Sequence, residues 1–191
     1  MSFGPVYNLQ LHNQIDRVLH VPGNYRGGIL EMAVVIDCAY SADAIRVLCQ
    51  DLAASCKKQG EIFRNVHLNK VEWRKDQITS EISSLAHLQI GSCFEHYEQE
   101  LTQEKAPEKL MDYLKRFQAR SKLIFLLTPG ENILENAGEK EALIQAMNPF
   151  LKQKLIILYP DKIEGGNDAL RRIILTEEAV IKRKRQERSG E

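Results

Sequence analysis

The fold class this sequence predicts is an α/β domain with a largely parallel, helix-covered sheet. Three short apolar runs carry the prediction: Met32-Ala-Val-Val-Ile36, Leu123-Ile-Phe-Leu-Leu127 and Leu155-Ile-Ile-Leu-Tyr159. Each is too brief for a helix, and each is followed by turn-forming or small residues. A run that is apolar at every position fits a strand covered on both faces, which in practice means a parallel sheet. Helical patterns lie between the runs, and this alternation implies right-handed crossovers. The result is a doubly wound, mostly parallel, Rossmann-like sheet with helices on both faces.

The elements follow in chain order. Residues 1–30 form an N-terminal extension in which Leu9, Leu11, Ile15, Val18 and Leu19 suit a short amphipathic element, and the turn-rich stretch Val21 to Gly28 connects it onward. From Ala44 to Lys58, Ile45, Leu48, Cys49, Leu52 and Cys56 make one helical stripe, and Gly60 stands where that helix would stop. A fourth strand is expected in Asn65 to Trp73, with its alternation broken by one slip that a bulge near Asn69 would explain. The stretch from Gln77 to Glu100 reads two ways. Ile82, Leu85 and Leu88 mark a short helix, or Leu88 to Ile90 and Cys93-Phe94 form an edge strand. Pro107 to Ala119 is a helix with proline at its first position. Glu139 to Leu151 is another, disturbed at Pro149, and Asn167 to Arg185 is a long final helix capped by Asn167.

Composition bounds what the chain can do. With 191 residues it buries roughly 70% of the surface exposed when unfolded, enough for one proper core. Hydrophobic residues at 43% and charged residues at 27% are ordinary for a soluble protein, and no apolar run is long enough to span a bilayer. Residues 1–19 lack a secretory pattern, so a cytoplasmic location is expected. The basic and acidic residues balance at 26 each, so no global field draws the protein to nucleic acid or acidic lipid, and neither partner is expected. The local exception, Lys182 to Arg188, reads as a solvated helix end.

Cys38, Cys49, Cys56 and Cys93 are spaced 11, 7 and 37 apart, without the C-x-x-C pairs of zinc or redox motifs, and read as reduced thiols. The five histidines show no ligand spacing. Phosphate-loop and dinucleotide glycine motifs are absent, and no cofactor is expected. Trp73, beside Arg74 and Lys75, reads as a strand-end packing residue before it reads as an exposed anchor for a partner.

In an open parallel sheet, ligands collect at the carboxyl ends of the strands. The loops to search are therefore Ile36-Asp-Cys-Ala-Tyr-Ser-Ala-Asp43, Leu127-Thr-Pro-Gly-Glu-Asn132 and Tyr159-Pro-Asp-Lys162. They nominate Asp37, Ser41, Thr128 and Glu131 as a candidate binding crevice. The simplest role for Asp37 and Ser41 is to cap the following helix or fix its entry loop. An enzyme would instead use Asp37, Cys38 and Ser41, with Cys38 as nucleophile, but no spacing ties His67, His87 or His96 to it as a base.

The first strand and loop, with Asp37-Cys38-Ala39-Tyr40-Ser41, resemble the D-x-S-x-S opening of a von Willebrand factor type A domain. The run Leu123 to Glu131 is similar to that family's later strand, which ends in L-T-D-G. The likeness extends in order and spacing over residues 31–185, so residues 31–191 read as the domain proper. The resemblance implies a protein-interaction module whose metal-ion-dependent adhesion site takes magnesium or manganese through hydroxyl and carboxyl oxygens. Here Ala39 replaces a serine, Pro129 an aspartate, and Ala106 of Ala106-Pro107 the family's threonine, although Thr102 lies close by. The site is thus degenerate, and no bound metal is expected. Two functions follow. One is a non-catalytic module that recognises a protein partner through the loops at the top of the sheet. The other is an enzyme or small-molecule binder that uses the same crevice. A deep pocket with converging polar groups beside Cys38 favours the second, and a filled crevice the first.

Overall fold

The computed structural model describes residues 4–21, 25, 27–100, 107–117, 123–128 and 155–158. Glu131, Tyr159, the helices expected in 139–151 and 167–185 and the basic stretch 182–188 lie outside the described residues.

The elements run α1 (Gly4–Leu19), β1 (Leu30–Asp37), α2 (Ala42–Gln59), β2 (Val66–Trp73), β3 (Ile78–Ser83), α3 (Leu85–Ile90), α4 (Pro107–Phe117), β4 (Leu123–Leu127) and β5 (Leu155–Leu158). The strands make one sheet in the order β3-β2-β1-β4-β5. The first apolar run lies at its centre as β1, flanked by β2 and β4, and β5 adds beyond β4, all parallel as expected. Strand β3 pairs with β2 antiparallel, so the fold is α/β on a mixed open sheet. From Met32 to Asp37 every residue of β1 is buried, so both of its faces are covered over that span. No helix among the described residues is long and apolar enough to cross a membrane.

Two expectations are corrected. The bulge near Asn69 is absent, because β2 pairs residue for residue with β1 from Leu30↔Val66 to Asp37↔Trp73 and with β3 from Leu68↔Ser83 to Trp73↔Ile78. The slip in the pattern has another cause: β2 is covered on both faces. Leu68 and Lys70 point to one face and Val71 and Trp73 to the other, and all four are buried. Lys70 tolerates burial because its ammonium meets Glu81 at 2.6 Å, Glu72 at 3.4 Å and the Cys93 carbonyl at 2.8 Å. Burial disfavours its charge, but the Glu81 hydrogen bond and the nearby carboxylates outweigh that and raise its pKa.

The second correction falls on residues 77–100. Their edge strand is Ile78–Ser83 and not 88–94, and Ile82 belongs to that strand and not to a helix. Leu85 and Leu88 do sit on a helix, α3, which Ser84 caps by accepting from the His87 N–H at 3.1 Å. Gly91, with φ at 77°, ends it in the left-handed conformation that glycine adopts without strain.

The N-terminal segment is a full helix. Leu11, Ile15 and Val18 of α1 are buried in the same core cluster as β1, and Gln59 at the end of α2 donates to the His12 carbonyl and to the Asp16 carboxyl. Trp73 is fully buried, in keeping with the packing role expected of it.

Candidate functional site: the carboxyl end of the sheet

The chain leaves β1 for β2 on one side and returns later to β4 on the other side of β1. The carboxyl ends of β1 and β4 therefore flank the point where strand order reverses, the usual place for a crevice in an open α/β sheet. The parallel register sets Ile36 against Leu127, and the next residue on each strand is Asp37 and Thr128. Both are fully buried, and the Thr128 hydroxyl donates to Asp37 Oδ2 at 2.9 Å. The other carboxyl oxygen, Oδ1, accepts from the Ala39 N–H at 3.0 Å. An aspartate in this position closes the turn after its own strand and ties that turn to β4.

Ser41 does the corresponding work for α2. Its backbone is extended and its hydroxyl accepts from the Ala44 N–H at 3.2 Å, so it is the N-cap of the helix. Three of the four nominated residues thus meet at one end of the sheet, with Asp37 and Thr128 in direct contact and Ser41 four residues along the same loop from Asp37.

Residues 94–100, which the sequence reading did not connect to the site, strap this loop from outside. Tyr97 donates its hydroxyl to the Tyr40 carbonyl at 2.6 Å, Gln99 donates to the Ala39 carbonyl at 2.8 Å, and the Glu100 N–H donates to the Cys38 carbonyl at 2.8 Å. Arg74, at the turn after β2, holds the strap in place: its guanidinium bonds the Glu98 carbonyl at 3.0 Å and Glu72 at 2.6 Å, and lies 5.9 Å from the Tyr97 ring centre. Three successive carbonyls of the β1–α2 loop are thereby taken up within the fold.

Cys38 is buried beneath this strap. Burial pushes its thiol up to about 12, against the opposing pull of Arg74 and with smaller upward contributions from Glu72 and Asp37. A thiol so shifted is protonated at neutral pH and lacks the thiolate that nucleophilic catalysis requires. A cavity of about 570 Å³ lined by Lys57, Gly60, Phe63, Arg64, Ser84 and Leu85 opens at the amino end of β2, the opposite end from Cys38. No family model and no curated protein matches this sequence.

Proposed function

We propose that this chain is a non-catalytic protein-interaction module, similar to a von Willebrand factor type A domain, that is doubly wound and works without a bound metal. Its partner, a protein, docks on the loops at the carboxyl end of the sheet. The observation that carries this reading is the use made of Asp37. In the resembling family the corresponding aspartate serves a cation. Here its two oxygens take the Ala39 N–H and the Thr128 hydroxyl within the fold. Ser41 is likewise spent on capping α2, and the replacements Ala39, Ala106 and Pro129 withdraw further oxygens. The strap over Cys38 supports the same reading against an enzyme, because it fills the place where a substrate would meet the thiol.

The test is photo-crosslinking in the cell of origin, with the reactive residue placed singly at exposed Asp43 or Asp76 beside the carboxyl-end loops, and at exposed Glu61 or Arg64 beside the amino end. A discrete protein adduct from the first pair and none from the second is expected. Adducts from the amino end alone, or from neither end, would remove the proposal. A magnesium titration that raises the melting temperature, with the effect lost in Asp37→Ala, would instead restore a metal-dependent mechanism.

A further inference from the structure

Strand β3 ends the described sheet, and although α4 lies beside it, its residues 79–82 remain exposed and lack several usual protections of an edge. It has no proline, its pairing with β2 is unbroken from Ile78 to Ser83, and its one charged side chain, Glu81, is turned to Lys70 at 2.6 Å. Thr79, Ser80, Glu81 and Ile82 are all exposed, Ile82 to 80%. An exposed edge with unpaired backbone groups is a template for strand pairing that natural proteins ordinarily block unless the edge is used.

The hydrogen-bond phase of the hairpin fixes which backbone groups face outward. The Arg74 N–H donates to the Gln77 carbonyl at 2.9 Å, which makes Arg74 and Gln77 a hydrogen-bonded pair. In an antiparallel ladder, hydrogen-bonded and non-hydrogen-bonded pairs alternate. Trp73↔Ile78, Val71↔Ser80 and Asn69↔Ile82 are then the non-hydrogen-bonded pairs, so Ile78, Ser80 and Ile82 direct their N–H and C=O groups away from β2. An incoming strand can bond only to those three residues.

We propose that the occupant of this edge is a second copy of the chain, paired β3 to β3 in antiparallel fashion about a two-fold axis at Ser80. The segment Ile78-Thr79-Ser80-Glu81-Ile82 is self-complementary about that residue. In this register Ser80 faces Ser80 of the second copy, and Ile78 faces its Ile82 and Ile82 its Ile78. These are the residues whose backbone groups point outward, so every outward donor and acceptor of the three is used. Each exposed Ile82 gains an isoleucine opposite it, and each Glu81 lies opposite a threonine hydroxyl. Shifting the axis by one residue to Glu81 sets the two Glu81 side chains directly against each other, a like-charge pair that disfavours that register. Shifting it to Thr79 leaves Ile82 without a partner residue on the strand opposite.

The alternation of inward and outward N–H groups along β3 also provides the test. Ser80→Pro deletes an N–H that faces outward, so it blocks the second copy while the β2 ladder keeps its bonds. Thr79→Pro deletes one that faces β2 and should damage the fold itself. Sedimentation of the full chain at tens of micromolar is expected to give twice the chain mass for the native protein. Ser80→Pro and Ile82→Lys should each give the monomer mass, with circular dichroism unchanged. Should either variant fail to fold, Ser80→Cys decides, because the axis brings the two introduced thiols within reach of a short bismaleimide, and a cross-linked dimer absent from the native protein should form. A monomeric native protein would overturn the proposal, as would a dimer that survives both substitutions. So would a monomer in which the Ile78, Ser80 and Ile82 amides exchange slowly with deuterium, since another segment of the same chain would then hold the edge.

Discussion

Replacing Thr128 by valine isolates the bond that joins the turn after β1 to β4. Valine keeps the shape of threonine and removes the hydroxyl that donates to Asp37 Oδ2 at 2.9 Å. Both oxygens of Asp37 accept hydrogen bonds, from Ala39 and Thr128, and the side chain is fully buried. Removing one donor from a buried acceptor costs about 1 to 3 kcal/mol, because the acceptor loses its hydrogen-bond partner. Thr128→Ser is the control: it keeps the donor and gives up one buried methyl, for a cost of about 0.8 kcal/mol. Urea unfolding of the three proteins followed by circular dichroism measures both differences. The expected order of stability is native, then serine, then valine. Thr128→Val as stable as the native protein, or no less stable than Thr128→Ser, would mean that the bond does not hold the loop.

Two further outcomes follow from burial. Ile124 in β4 is fully buried, and Ile124→Ala should cost about 2 to 5 kcal/mol in the same unfolding assay; an unchanged midpoint would displace β4 from the core. Cys38, with its thiol pushed up to about 12, should resist iodoacetamide at pH 8 in the folded protein and react on unfolding, as read by peptide mass spectrometry. Labelling of folded Cys38 at the rate of a free cysteine would contradict its burial and reopen the nucleophile reading.

What the sequence disclosed about the fold tracked how each strand is covered. β1 and β4 were legible because burial on both faces leaves Met32 to Ile36 and Leu123 to Leu127 apolar at every position. β2 was half legible. Lys70 stands at a buried position only because Glu72, Glu81 and the Cys93 carbonyl surround its ammonium, and a one-dimensional pattern cannot register such partners. β3 was not placed because an exposed edge imposes no apolar pattern, and the six residues of α3 are too few to show a helical period. At the site, Asp37, Ser41 and Thr128 were findable by their position at strand ends. The strap was not: Tyr97 and Gln99 bond to carbonyls 57 and 60 residues away, and a backbone carbonyl carries no residue signature.

The two proposed contact surfaces differ in chemistry, and salt should separate them. Around the carboxyl-end loops, the exposed side chains Asp43, Lys75, Asp76, Glu95 and Glu98 are charged, and four of these five are acidic. The β3 edge offers backbone groups and Ile82, while its only charge, Glu81, is paired with Lys70 of the same chain. Charges on an exposed rim act over the Debye length, which shrinks from about 10 Å at 0.1 M salt to about 3 Å at 1 M. Backbone pairing and apolar contact do not depend on that length. Raising salt from about 0.1 to 1 M should therefore slow association of a partner at the rim by tenfold or more, as surface plasmon resonance would record, in line with electrostatic steering. The sedimentation dimer should persist over the same range. A dimer that dissociates as salt rises, beside rim binding that ignores it, would assign the two surfaces the wrong way round.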